Sequence, residues 1–347
     1  MCIDFFDNIL INSNVFIIAE LSANHNQDFD LALKTIRAMK DSGADAVKLQ
    51  TYTPDTITIN CNNDYFKIKQ GTIWDGGTLY DLYKKAYTPW EWQPKLKEYA
   101  ENLGLICFSS PFDKKAVDFL EKINVPAYKI ASFEITDIPL IEYVASKGKT
   151  IIISTGIAEY DDIKLAIETC KKAGNSKIIL LKCTSSYPAP LEDINLLTIK
   201  DMKDNFDCII GLSDHTLGIE VPIASVALGA KVIEKHFILD KKLGGPDSEF
   251  SLEPNEFKIM VESIRNVEKS LGKVKYELSE KLKKSREFSR SLFIVEDIKK
   301  DEYFTEENIR SIRPGFGLEP RFYNDIIGKK AKVNILRGTP LDWSLIY

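Results

Sequence analysis

The sequence predicts an α/β protein: a (β/α)8 barrel of the TIM type, followed by a small β-rich C-terminal domain. Three observations carry that expectation. Short β-branched runs alternate with amphipathic helical stretches from residue 15 onward, eight such runs occur, and polar residues capable of chemistry sit directly after each run. The length of 347 residues suits a barrel of about 250 residues with an appendage of about 60.

The eight strand-like runs lie at 15–19, 46–49, 105–108, 127–130, 150–153, 177–181, 208–212 and 231–233. Helical patterns connect them at 30–41, 113–122, 161–172 and 219–228, the last closed by Gly229. Thr88, Pro89 and Glu91 have the form of a capping box with proline at the first helical position, which predicts a helix beginning near Pro89. The stretch 51–87 is much longer than an ordinary βα crossover and is expected to fold over one barrel face. A helix over 254–271 completes the eighth unit. The expected domains are a barrel over 1–275, a charged linker over 276–289 and a C-terminal module over 290–347. Within that module a strand near 291–295, turns at 297–301 and Thr305, and the stretch 328–342 read as mostly β.

Hydrophobic residues at 44% and charged residues at 28% allow a sizeable core without disulfides or lipid. A net charge of -5, with no basic stripe, argues against a nucleic-acid partner. Cys2, Cys61, Cys107, Cys170, Cys183 and Cys208 show neither CxxC pairing nor the spacing of a secreted disulfide scaffold, and read as reduced thiols. The N-terminus lacks the basic start of a signal peptide, and no apolar run approaches the ~20 residues that span a bilayer. The expectation is a soluble cytoplasmic protein without a membrane partner.

Catalytic residues of a (β/α)8 barrel project from the C-terminal strand ends. All three histidines of the chain, His25, His215 and His236, fall there, after runs one, seven and eight, which become neighbours when the barrel closes. A lone histidine is more often a hydrogen-bonded core residue. The pair His215 and His236 on adjacent strands is instead read as a site for a divalent metal with open positions for water or substrate oxygen; His25 is left between lining the site and local structure. Lys48, Lys129 and Lys182 lie on strands where an unpaired ammonium would be costly, so each needs an anionic partner. That partner is a bound anion or one of Glu20, Glu134 and Glu234, and the same lysines would serve a Schiff-base enzyme. Singly, a strand-end serine is more often a cap, yet Ser110, Ser132, Ser154 and Ser213 together can complete an anion cradle. Glu20, Glu234 and Asp247, the last in the glycine-rich segment GGPDSEF, are the candidate catalytic acids.

With FIIAELSANHN, GADAVKLQTYTPDTIT, FSSPFD, AYKIASFE, ISTGIA, GLSDHTLG, ALGAKVIEKHFILD and GGPDSEFSL in order, the chain resembles the sialic-acid synthase family over nearly its full length. The segment from Arg290, with SLFIVEDIKKDEYFTEENIRSIRPGFGLEP and IIGKKAKVNI, resembles the antifreeze-like (SAF) module that ends those synthases. TYTPDTIT, GTIWDGGTLYDLYKKAYTPWEW and SANHN look like the pseudaminic branch rather than the N-acetylneuraminate or legionaminate branches.

The resemblance implies condensation of phosphoenolpyruvate with the open-chain form of an N-acetylated amino sugar, with release of phosphate. For the pseudaminic branch the sugar is 2,4-diacetamido-2,4,6-trideoxy-L-altrose, and Phe66, Trp74 and Tyr80 of the insertion are expected to supply its apolar contacts. The resemblance also implies that His215 and His236 ligate manganese or magnesium, that Glu20 handles the attacking water, and that Asp247 is an acid near sugar and metal. Lys48, Lys129, Ser110, Ser132, Ser154 and Ser213 match the phosphoenolpyruvate cradle, and Ser185 and Tyr187 line the site. Arg313 matches an arginine that the SAF module of one subunit inserts into its partner, which implies a domain-swapped homodimer. A Schiff-base aldolase using Lys129 or Lys182, and a non-catalytic sugar-binding protein, are the rival readings.

Overall fold

Runs such as Thr150–Ser154 (TIIIS) and Ile178–Cys183 (IILLKC) are continuously apolar over 151–153 and 178–181, as strands buried on both faces must be. The computed structural model describes residues 5–11, 14–69, 71 and 74–347. Eight parallel strands, β1 (Phe16–Glu20), β2 (Ala46–Thr51), β3 (Ile106–Pro111), β4 (Ala127–Ile130), β5 (Thr150–Ser154), β6 (Ile178–Cys183), β7 (Ile209–Asp214) and β8 (Val232–His236), close into a barrel in chain order, β1 pairing with β8. Ile17, Val47, Phe108, Ile130, Ile152, Leu180 and Ile233 belong to its core.

All the strands except β4 run one to three residues past the last residue of the predicted run. Their polar ends stay in the ladder because the backbone bonds are indifferent to side-chain polarity and because polar side chains of neighbouring strand ends stand beside one another on both faces. Thus Glu20 is in register with both Lys48 and His236, Ser213 with Glu234, and Asp214 with Lys235.

The helix Pro254–Leu271 forms as expected, with Glu253 and Glu256 making a reciprocal capping box. The helix expected near Pro89 starts later: a 3-10 turn, Trp90–Trp92, leads into Gln93–Asn102, which has Pro94 in its first turn. Thr88 does not cap it, because its hydroxyl bonds His25 Nε2 at 3.1 Å. The insertion holds the helices Pro54–Ile57 and Leu79–Ala86 and lies over the C-terminal mouth of the barrel.

The chain divides into two compact units, Met1–Gly272 and Lys273–Tyr347. The stretch expected as a bare linker contains a helix, Glu280–Ser285, capped by the Ser279 hydroxyl and carrying a Lys283–Glu280 pair at 2.8 Å. In the second unit β9 (Ser291–Ile294) pairs antiparallel with β10 (Ile309–Ile312), a strand the sequence pattern did not mark. The stretch 328–342 contributes isolated bridges, such as Ile335 to Ile298 and Pro340 to Phe293, rather than strands. Gly328 and Gly338, both at positive φ, and Pro340, which lacks an N–H, break the ladder there. Leu292, Ile298, Phe304, Ile326 and Ile335 form this unit's own core.

Cys61, Cys107, Cys170, Cys183 and Cys208 are free thiols; Cys2 lies outside the described residues. Among the described residues no helix is long and apolar enough to cross a membrane.

Candidate active site

A cavity of about 830 Å³ opens between the C-terminal strand ends and the insertion. Of the residues singled out by sequence, Lys48, Lys129, Ser132, Ser154, Ser185, Tyr187, Ser213, His215, Glu234, His236 and Asp247 line it. Glu20 and Ser110 are buried at the ends of β1 and β3 without lining it, and the Ser110 hydroxyl has no partner. Arg313 belongs to the second unit, where it is exposed just past β10. Lys182 turns away and donates to Thr184 Oγ1 at 2.6 Å.

The floor is an alternating charge array. Lys48 Nζ lies 2.6 Å from Glu20 Oε2 and 2.7 Å from Glu234 Oε1, and Lys129 Nζ lies 3.6 Å from the same Glu234 oxygen and 2.7 Å from Ser154 Oγ. Ser213 Oγ donates to Glu234 Oε1 at 3.1 Å, and Glu20 Oε1 accepts from the Ser22 amide at 3.1 Å. Burial alone would raise the Glu234 carboxyl, but the Lys129 and Lys48 ammonium groups outweigh it and hold it at about 2. Burial also brings Lys48 down to about 8. Glu234 is therefore ionised at neutral pH and serves as the counter-ion that lets two lysines stand in a buried site.

Beside this array Ser185 Oγ donates to Ser132 Oγ at 2.6 Å. The pair requires glycine at position 156: a Cβ there would stand 2.2 Å from Ser185 Oγ and 2.6 Å from Ser132 Oγ.

His215 and His236 face each other with ring centroids 5.3 Å apart. His215 Nδ1 lies 3.1 Å from the Thr184 carbonyl, which can only accept, so Nδ1 carries the proton and Nε2 keeps a free lone pair. His236 Nδ1 is buried without a hydrogen-bond partner, its separation of 3.8 Å from Asp247 Oδ2 being too long for one. Burial lowers His215 to about 4 and His236 well below its usual value, leaving both rings neutral and able to ligate. Among the described residues there is no group of three or more His, Cys, Asp and Glu side chains placed to hold a metal, so a cation here would have two imidazole ligands and open positions.

His25 stands outside this centre. Its Nδ1 accepts from the Gln27 amide at 3.1 Å, its Nε2 meets Thr88, and it is fully buried, so it ties the β1 loop to the end of the insertion.

The insertion and the Asp247 loop are joined over the cavity. Trp74 Nε1 donates to the Pro246 carbonyl at 2.8 Å, the Trp74 ring packs on Tyr187, and Tyr187 packs on His215 with centroids 4.5 Å apart. Burial raises the Asp247 carboxyl, which the Ala23 amide holds at 3.4 Å. Of the three aromatics expected to meet substrate, only Trp74 lines the cavity. Phe66 closes a 3-10 turn, and the Tyr80 hydroxyl is taken by Asp55 at 3.2 Å. The apolar lining comes instead from Ile57, Ile68, Leu79, Leu82 and Ala86, with Tyr52, Tyr83 and Phe112. The i, i+3, i+4, i+7 spacing of Leu79, Leu82, Tyr83 and Ala86 was the available signal. Glu134, read from sequence only as a possible partner of a lysine, also lines the cavity; burial raises its carboxyl to about 7, and its Oε2 is buried without a partner.

The NeuB family profile matches residues 35–276, and the SAF domain profile matches residues 289–346. The chain belongs to the NeuB family. Its NeuB-family relatives include the pseudaminic acid synthase of Helicobacter pylori, 51% identical over 326 residues and covering 94% of this chain and 96% of that one. The pseudaminic acid synthase of Campylobacter jejuni is 49% identical over 334 residues, covering 96% and 97%. Among solved structures, the N-acetylneuraminic acid synthetase of Leptospira borgpetersenii in complex with citrate matches with a TM-score of 0.70 at 35% identity, over 78% of this chain and 90% of that one.

Proposed function

We propose that this chain is a pseudaminic acid synthase, which joins phosphoenolpyruvate to 2,4-diacetamido-2,4,6-trideoxy-L-altrose and releases phosphate by C–O cleavage. One observation carries the reading: a single cavity combines a lysine and serine cradle, two neutral histidines and an apolar roof. The identity of about half to pseudaminic acid synthases over nearly the whole chain supports the branch.

Lys48 and Lys129 supply the charge that neutralises the phosphate and carboxylate of phosphoenolpyruvate, while Ser132 and Ser154, whose hydroxyls only accept within the site, keep their protons for the substrate; Ser185 and Ser213 fix Ser132 and Glu234, and the buried Ser110 stands behind the cradle. Glu234, whose Oε1 takes two ammonium groups and a hydroxyl and whose carboxyl they hold ionised, keeps those lysines in place rather than moving a proton. His215 and His236 would hold a manganese or magnesium ion, and the neutral rings with an orphaned Nδ1 fit that role. When bound, the ion supplies Lewis acidity that makes the sugar aldehyde electrophilic toward C3 of phosphoenolpyruvate. Bond formation leaves positive charge at C2, which the Glu20 carboxylate stabilises. Glu20, covered by Lys48 at 2.6 Å, takes a proton from the water that captures C2 once that ammonium turns to the incoming anion, and the tetrahedral carbon expels phosphate. Asp247, with its raised carboxyl, orients the sugar and shields the aldehyde end with its loop. Arg313 reaches the site of a second copy in a swapped homodimer, and the free cysteines accord with a reducing cytoplasm.

The test is phosphate release with phosphoenolpyruvate and, side by side, N-acetylmannosamine, the 6-deoxy-altrose diacetamide and the 6-deoxy-mannose diacetamide. Preference for the altrose sugar is expected; no phosphate from any of the three sinks the synthase reading. Borohydride with pyruvate is expected to trap no adduct, whereas an adduct on Lys129 would establish the aldolase rival.

A further inference from the structure

We infer that Leu79 and Leu82, with Ile57, Ile68 and Ala86 beside them, form the wall that selects a 6-deoxy sugar by packing on its C6 methyl. The inference rests on the reading above and assigns its sugar selectivity to named side chains.

The cavity has two unlike poles. The barrel end carries Lys48, Lys129, Glu234 and the two histidines, whereas the opposite side is the inner face of the helix Leu79–Ala86. On that helix Leu79, Leu82, Tyr83 and Ala86 line the cavity, while Asp81, Lys84 and Lys85 are exposed on the other face. Leu79 and Leu82 are only half-buried, so part of their apolar surface borders open cavity space. Apolar surface held toward an open space is a feature of ligand sites rather than of a settled core.

Orientation follows from the chemistry. The aldehyde carbon must lie at the histidines, next to the lysine and serine cradle, so the far end of the sugar chain points out of the barrel toward the insertion. A C6 hydroxyl against Leu79, Leu82, Ile57 and Ile68 would lose its water without gaining a partner, whereas a methyl loses no hydrogen bond and buries its surface. The wall therefore acts by rejecting the hydroxyl as well as by holding the methyl.

The experiment uses the full chain and phosphate release at saturating phosphoenolpyruvate, with the 6-deoxy-altrose diacetamide and its 6-hydroxy counterpart. The wild type is expected to prefer the 6-deoxy sugar. Leu82→Gln is expected to lower kcat/KM for that sugar about tenfold, to leave the KM for phosphoenolpyruvate unchanged, and to narrow or reverse the preference. Leu82→Met, still apolar, should keep it. If Leu82→Gln does not reach the wild-type melting midpoint, Leu79→Gln takes its place. An equal loss on both sugars, or no loss on either, overturns the wall while leaving the synthase reading intact. No phosphate from the 6-deoxy sugar with the wild type overturns that reading and the wall with it.

Discussion

The Lys235 ammonium and the Asp214 carboxylate form an ion pair of 2.5 Å with side chains 0% and 1% exposed, each residue standing immediately before one of the paired histidines. Asp214 also accepts from the Thr216 amide and hydroxyl, and Lys235 donates to the Thr216 carbonyl. Because side chains alternate along a strand, this pair clamps β7 to β8 on the outer face, while Ser213 and Glu234 clamp them on the inner one.

Lys235→Met strands a buried carboxylate and is expected to cost about 3–5 kcal/mol of stability, read by urea denaturation. The double change Asp214→Leu with Lys235→Met should recover most of that loss. A single variant within ~1 kcal/mol of the wild type would show that the pair contributes little beyond its own desolvation.

The burial of Glu134 sets the sign of a pH dependence. Burial raises its carboxyl from 4.5 to about 7, so the folded chain binds the proton more tightly than the unfolded one, and stability falls as pH rises through that window. Glu134→Gln should remove about 3 kcal/mol of that decline, leaving the variant near wild type at pH 4 and more stable at pH 8. Parallel pH profiles for both proteins would dispose of this assignment.

Much of this architecture was legible because parallel strands buried on both faces must be apolar and must be separated by helices. The histidine pair was legible because strand parity alone puts His215 and His236 on one face with Ser213 and Glu234. His25 stayed open between site and local structure because position alone marked it, and only the fold decides for local structure by showing Thr88 and the Gln27 amide consuming both ring nitrogens. Of the three aromatics expected to face substrate only Trp74 does so, because the insertion's path is set by contacts such as Trp74 to Pro246, which no local pattern encodes. Phe66 and Tyr80 are aromatic in the right segment yet do not line the cavity.

Removal of divalent metal by a chelator should abolish turnover, and manganese should restore it. His236→Ala is expected to lower metal-dependent kcat by at least about a hundredfold, with the melting midpoint of the metal-free protein little changed. Manganese affinity, measured by titration on the variant, should fall in step with activity. A variant that retains wild-type manganese affinity would remove His236 from the ligand set.

Arg313 gives the most direct test of a shared site. If the arginine of one copy completes the cavity of another, Arg313→Ala and Lys129→Met are each inactive alone yet complementary when mixed. A mixed dimer carries one site with both defects and one with neither. Random exchange makes about half of the dimers mixed, so about a quarter of wild-type activity should return on co-refolding equal amounts of the two variants. The recovered activity should show the wild-type KM for the sugar, because the intact site is complete rather than partly repaired. If Arg313 served its own chain's cavity, every mixed dimer would contain only singly defective sites, and mixing would restore nothing.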